Sequence, residues 1–156
     1  MSSSHPCHPP AGRTRTTVRP APLRRAEDAI DVLLLAASQP YRPEAIALVL
    51  DHAHRGLACV VVDGATDATL SEVATALLLS AEARSGVGAF VLATTAPPGG
   101  WPADGHELER HEMQWFDLRE QFETPGYDLL DWFVLVDGLA VSMAELTDSH
   151  ARWLER

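Results

Sequence analysis

The chain has 156 residues, a length that ordinarily forms one domain and buries enough surface to be stable without a disulfide or a metal ion. Residues 1–25 hold five of its twelve arginines and none of its 22 acids, so the rest of the chain has a formal net charge of −15. That acidic part would repel a phosphate backbone, and nucleic acid is expected to be contacted only weakly, through the tail. With no secretory signal and no apolar run of about 20 residues, we expect a cytoplasmic protein without membrane contact.

Residues 1–25 are predicted to form a disordered tail, because Ser, Pro and Arg leave little apolar surface to bury. A single domain is predicted to follow over 26–156. The tail contains the segment H-P-C-H at residues 5–8, which brings metal-binding side chains together but has no fourth ligand nearby, so we expect only adventitious metal binding there. Cys59 lies in an apolar run and is expected to pack in the core, without a bridge to Cys7.

Hydrophobic periodicity and turn residues predict alternating helices and strands. A helix at about 26–38 is followed by strands at 45–50 and 57–62, which form a hairpin around the turn sequence DHAHRG. A second helix at about 70–84 leads into a buried strand at 89–93. The Pro- and Gly-rich stretch TTAPPGGWPADG after that strand is predicted to be a loop.

The second half of the chain continues the same alternation. A long helix is predicted at about 106–123, and the helical spacing of Leu108, His111, Trp115, Leu118 and Phe122 predicts its buried face. A central strand at 129–136, a short strand after Asp137-Gly138 and a short final helix follow. Hairpins combined with crossover helices predict an α/β fold of the α+β type, in which a mixed sheet of about five strands is flanked by helices.

Three segments of the chain place polar residues next to predicted strands. In the first, Glu44 precedes a strand that ends in Leu-Asp at Asp51, within PEAIALVLDHAHRGLACVVVDGAT. The second is the buried strand with its loop, FVLATTAPPGGWPADGH, and the third is the central strand with its flanking residues, GYDLLDWFVLVDG. In spacing and strand-end residues this order resembles the RadC type of JAB/MPN domain over about residues 26–146. In that family a His-x-His-Pro-Ser-Gly loop follows the buried strand, and a Leu-Leu-Asp-His strand comes later. The resemblance implies the cytidine-deaminase-like architecture of JAB/MPN domains.

The resemblance also implies where a metal site would be. Active members hold Zn²⁺ with two imidazoles and a carboxylate, and a glutamate acts as general base. In this chain the two histidine positions fall at Thr94 and Ala96, and the aspartate position falls near His106, or at Glu107 if the loop shifts by one residue. Only Glu44 remains, as the candidate base. We therefore expect no metal, no cofactor and no zinc-dependent peptide cleavage.

The favoured function is a catalytically inactive JAB/MPN-like domain that acts as a protein-binding or scaffold module. Its partner is unknown, and a homodimer is one expected assembly. The residues expected to bind lie in the loop after the buried strand: Thr94, Thr95, Pro97, Pro98, Trp101 and His106.

Two other functions remain open. One is a divergent metal-dependent hydrolase built on Glu44, His106 and nearby carboxylates. His106 and His111 are five residues apart, about 140° around a helix, so they do not form a zincin motif. The other is a nucleic-acid-associated protein whose arginine tail binds phosphates.

Overall fold

The computed structural model of the protein describes residues 21–149 and 153–154. Residues 1–20 lie outside the described residues. They include the H-P-C-H segment and most of the tail that is predicted to be disordered. Residues 21–25 precede the first helix without regular structure, and the Leu23 amide donates to the His54 carbonyl at 2.8 Å.

The described chain alternates helices and strands in the predicted order. The elements are α1 (Ala26–Ala36), β1 (Glu44–Asp51), β2 (Gly56–Asp63), a 3-10 turn (Asp67–Thr69), α2 (Leu70–Glu82), β3 (Val87–Thr95), α3 (Gly105–Glu123), β4 (Asp128–Val136), β5 (Leu139–Ser142) and α4 (Met143–Leu146). The bounds agree with the predicted elements to within a few residues. The turn sequences were informative because Gly and Pro restrict where regular structure can continue.

The five strands form one mixed sheet in the order β2-β1-β3-β4-β5. β3 and β4 are parallel and are joined by the crossover helix α3, whereas the other neighbouring strands are antiparallel. This confirms the predicted fold class. Because β1 runs against β3, Ala45 at the start of β1 pairs with Thr94 at the end of β3, and Thr94 also pairs with Val134 of β4. The start of β1 and the ends of β3 and β4 therefore lie at the same end of the sheet.

Helices cover both faces of the sheet. On one face α1 packs through Leu33 over Ile46, Phe133 and their neighbours on β1, β3 and β4. On the other face α2 and α3 cover a larger core that includes Phe90 and Trp115. Burying a side chain of this size stabilises the fold by roughly 1.5–3 kcal/mol, so these two cores are what hold this end of the sheet in place.

The prediction that Cys59 packs in the core is wrong, because its side chain is exposed. Apolar periodicity shows that a segment is a strand, but it does not show whether the strand is central or at an edge. β2 is an edge strand, and α1 packs over β1, β3 and β4 but not over β2. Among the described residues, no helix is both long enough and apolar enough to cross a lipid bilayer.

Candidate functional site

The candidate site lies at the end of the sheet where β3 finishes. A cleft of about 350 Å³, here called the β3 cleft, opens there. It is lined by the segment before β1, the segment before α2, and the end of β3 with the loop that follows it: Tyr41, Arg42, Pro43, Thr66, Asp67, Thr95, Ala96, Pro97 and Pro98. Clefts at the carboxyl ends of parallel strands are a common place for ligands in open sheets.

Glu44, the candidate general base, is fully buried at the start of β1. Its Oε1 accepts from the Ser38 amide at 2.7 Å and its Oε2 accepts from the Ser38 hydroxyl at 2.8 Å. Arg42 Nε lies 3.8 Å from Oε2. Both carboxylate oxygens are therefore used to join the segment after α1 to β1, which is a structural arrangement.

Thr94, at the first histidine position of the resemblance, is buried, and its Oγ1 accepts from the indole Nε1 of Trp132 at 3.0 Å. Ala96, at the second position, is buried and has only a methyl group. A threonine hydroxyl that already accepts a hydrogen bond and a methyl group do not replace two neutral imidazoles as zinc ligands. The residues at these positions do not fit the zinc ion that the resemblance implies.

Thr95, one residue further along, connects two of the cleft walls. Its Oγ1 donates to the Arg42 carbonyl at 2.7 Å and accepts from the Glu44 amide at 3.3 Å. Of the six residues predicted to bind, Thr95, Pro97 and Pro98 line the β3 cleft, while Thr94 is buried at the end of β3.

Trp101 and His106, the other two predicted binding residues, lie elsewhere. Trp101 is partly buried, and its ring lies beside that of His111, with centroids 5.6 Å apart and planes inclined by 16°. Its indole Nε1 donates to Nδ1 of His111 at 2.8 Å. His106 is exposed in the first turn of α3. The structure therefore does not bring all six residues into one surface.

Sequence reasoning missed the polar group that lies beside the cleft. Asp67, in the 3-10 turn, has its Oδ2 2.7 Å from Nε2 of the buried His111. We call Asp67, Trp101 and His111 the His111 cluster. The ring of His111 also meets Trp132 edge-on, with centroids 5.2 Å apart. The pattern placed His111 on the buried face of α3, but only the topology brings Asp67 to the same end of the sheet.

The His111 cluster has a defined protonation pattern. An indole nitrogen is only a donor, so Nδ1 of His111 must accept from Trp101, and the ring proton is on Nε2. Nε2 then donates to the Asp67 carboxylate. The cluster fastens the loop after β3 and the turn before α2 to α3, which gives the β3 cleft a fixed wall.

Within the described residues, Asp67, Glu107 and His111 have ligand atoms that all lie within 4.8 Å of one another. A metal ion on Nε2 of His111 would need the lone pair of that nitrogen, whereas the Trp101 hydrogen bond puts a proton there. Glu107 Oε2 in turn accepts from the Ala103 amide at 2.8 Å. Each of the three residues is therefore committed to a hydrogen bond that opposes a metal.

Asp51, the strand-end aspartate of the resemblance, lies at the opposite end of β1 from Glu44. Its Oδ1 accepts from the amides of Ala53 and Arg55, each at 2.8 Å. The Arg55 amide is the largest of the influences that hold the pKa of the Asp51 carboxyl below its usual value. Asp51 closes the β1–β2 hairpin and does not take part in the β3 cleft.

The fold and the cleft define an α+β domain with a mixed five-stranded sheet and a cleft at its parallel strand ends. Compared with known proteins, the chain matches no family model and no curated protein.

Proposed function

We propose that this protein is a catalytically inactive domain of the RadC-like JAB/MPN type, and that it binds a segment of a partner protein in the β3 cleft. One observation carries the proposal. The hydroxyl of Thr94, where the resemblance expects the first zinc ligand, is buried and bonded to the indole of Trp132. A position that stabilises the core through an indole is not available to a catalytic metal.

The state of Glu44 supports the same conclusion. Its carboxylate is fully buried and accepts two hydrogen bonds from Ser38. A general base must reach the proton that it removes, through a distance of about 3 Å or through one water molecule. Glu44 instead stabilises the start of β1. Without a catalytic base, the β3 cleft is proposed to bind a partner and not to catalyse a reaction.

The walls of the β3 cleft indicate what kind of segment it binds. Tyr41 and three prolines give it apolar walls, while threonines and main-chain groups provide polar contacts. The one cation of its lining, Arg42, already lies within 4 Å of both Glu44 and Asp63, and Asp67 is a further acid. The local charge is therefore negative, and a neutral or basic peptide segment fits better than an acidic or phosphorylated one.

Peptide selection tests this proposal. A random peptide library displayed on phage is panned against the full-length protein, and the enriched peptides are assayed with two variants. Pro98→Arg adds a positive charge to an exposed cleft residue, and Pro125→Arg adds the same charge to an exposed proline beyond α3. We expect neutral or basic peptides to be enriched. Because the added cation repels a basic segment and its side chain occupies part of the cleft, their affinity should fall at least tenfold in Pro98→Arg and be unchanged in Pro125→Arg. Equal affinity for both variants, or selection of acidic peptides, contradicts the proposal.

A second candidate function, a divergent metal-dependent hydrolase, is favoured by the proximity of Asp67, Glu107 and His111. It requires Trp101 to release Nδ1 of His111. The test is a peptide and isopeptide hydrolysis assay with added Zn²⁺ or Mn²⁺, on the wild type and on Asp67→Asn, Glu107→Gln, Glu44→Gln and His106→Ala. Metal-dependent hydrolysis that Asp67→Asn or Glu44→Gln abolishes would establish this candidate and reject the inactive domain.

A further inference from the structure

The outer edge of β2 is the longest open strand edge of the described sheet. β2 spans eight residues and pairs with β1 on one side, and it is the last strand in the sheet order. The Gly64 amide donates to the Pro43 carbonyl on the β1 side. Because main-chain polar groups alternate in direction along an antiparallel strand, those of Cys59, Val61 and Asp63 point to the open edge.

The same strand presents an apolar face. Leu57 and Val61 are 47% and 45% exposed, and Cys59 lies between them. All three face the α1 side of the sheet, where α1 does not cover β2. A groove of about 420 Å³ between this face and α1 is lined by Leu57, Cys59, Val32 and neighbouring residues. Open edge strands in monomers are usually protected by lysine, proline or inward charges, and β2 has none of these between Gly56 and Val62.

The charges of β2 suit a second copy of the same strand. Arg55 precedes the strand and Asp63 ends it, each four residues from Cys59, and the seven residues between them are uncharged. Antiparallel pairing of two copies brings Arg55 of one copy to the end of the strand that holds Asp63 of the other. The apolar residues Leu57 and Val61 are exchanged in the same way, so the surface is complementary to itself.

We propose that two copies of this chain pair antiparallel through β2, around a two-fold axis beside Cys59, and so form a continuous ten-stranded sheet. Cys59 and Val60 are the middle residues of the strand, so any pairing that overlaps most of it places the two Cys59 side chains close together. A shift of two residues in one direction would set Leu57 opposite Asp63, and a shift of two in the other direction would set Arg55 opposite Val61. Both lose the pairing of Arg55 with Asp63, which favours the centred register. This surface is separate from the β3 cleft, and the proposal does not depend on the proposed function.

Sedimentation equilibrium of the full-length protein, from micromolar to millimolar concentration, tests the assembly. We expect the wild type to reach twice its monomer mass of 16.9 kDa. Val61→Lys sets a charged side chain opposite the apolar Leu57 of the other copy and should raise the dissociation constant tenfold or more. Leu35→Lys, at an 87% exposed site on α1, is the matched control and should behave as the wild type. Circular dichroism melting curves verify that both variants are folded.

Thiol crosslinking tests the position of the axis. In a Cys7→Ser background, a short bismaleimide should join two chains through Cys59, and Val61→Lys in that background should abolish the product. The reaction is run at mildly alkaline pH, since neighbouring residues bury part of the Cys59 thiol and raise its pKa. A monomeric wild type, dissociation by Leu35→Lys instead of Val61→Lys, or a dimer that Cys59 does not crosslink would overturn the proposal.

Discussion

Trp101 donates its indole N–H to Nδ1 of His111 at 2.8 Å, and this hydrogen bond fixes the tautomer of a buried histidine. With its proton on Nε2, the ring donates to Asp67 instead of offering a lone pair to a metal. The loop after β3 thereby decides the chemistry of a residue on α3. His111 and the two neighbouring carboxylates, Asp67 and Glu107, are therefore all hydrogen-bonded to protein groups.

Replacing Trp101 by Phe should release this restriction. Trp101→Phe leaves Nδ1 of His111 without its donor, and we expect the free energy of unfolding to fall by about 1–3 kcal/mol. Because the ring can then change tautomer, Zn²⁺ should raise the melting temperature of Trp101→Phe more than that of the wild type. Differential scanning calorimetry with and without Zn²⁺ measures both effects.

The tail segment H-P-C-H is present in both proteins, so its metal binding cancels in this comparison. A wild type that Zn²⁺ stabilises as much as the variant, with that stabilisation lost in His111→Ala, would mean that Trp101 does not control the tautomer.

The bond between Thr94 and Trp132 leads to a second prediction. Thr94→Val keeps the shape of the side chain but removes the acceptor of the indole N–H, which is buried. A buried donor without a partner costs about 1–3 kcal/mol, and we expect a loss of that size in urea unfolding. Thr124→Val, at the exposed end of α3, is the control. Its hydroxyl donates to the Glu120 carbonyl of the same helix, so this variant should change the stability by about 0.5 kcal/mol or less. Equal effects of the two variants would contradict a structural role for the Thr94 hydroxyl.

The fold could be predicted from the sequence because its signals are local. Alternating apolar runs and Gly-containing turns indicate the five strands. The spacing of Leu108, His111, Trp115, Leu118 and Phe122 indicates the buried face of α3, and the structure buries all of these residues except Leu108, which is half-buried. The site depends on contacts that are distant in sequence. Asp67 and His111 are 44 residues apart, and no local pattern indicates that they meet.

A local sequence pattern also cannot show whether a strand lies at the edge of its sheet. The apolar residues around Cys59 indicate a buried strand, although β2 is the last strand of the described sheet and Cys59 is exposed. A pattern records how apolar a strand is and not what covers it, which depends on where α1 packs. The same difficulty applied to Trp101, whose partner on α3 lies ten residues away across a loop.

Gly88, on β3, allows a close approach of the β1–β2 hairpin. A Cβ atom at this position would lie 2.7 Å from Nδ1 and 2.8 Å from Cα of His52, and the second of these atoms is backbone that cannot rotate away. We expect Gly88→Ala to reduce the free energy of unfolding by about 1–3 kcal/mol through overpacking. Gly105→Ala, where a Cβ meets no atom within 4 Å, should be neutral or slightly stabilising. Thermal unfolding of both variants checks the contrast, and a neutral Gly88→Ala would refute the close approach.

Asp131 on β4 should make the stability depend on pH. Burial raises the pKa of its carboxyl to about 6, even though the carboxylate accepts hydrogen bonds from Ser142 Oγ at 2.5 Å and from the amides of Trp132 and Ala144. The folded protein therefore holds a proton on Asp131 at pH values where the unfolded chain, with a pKa near 3.8, has lost it. Stability from this group is fully present below about pH 4 and is lost as the pH rises through 6.

The Asp131→Asn variant removes this dependence, because its amide is neutral at every pH and retains an oxygen for the two main-chain donors. The free energy of unfolding of Asp131→Asn minus that of the wild type should rise by about 3 kcal/mol between pH 3.5 and pH 7, from a pKa difference of about two. Urea unfolding across this range measures the difference, and the carboxyl ¹³C shift of Asp131 should titrate near pH 6. Ser142→Ala removes the hydroxyl donor that lowers this pKa, so it should move the titration to higher pH. A difference between Asp131→Asn and the wild type that stays constant with pH would mean that folding does not raise the pKa of Asp131.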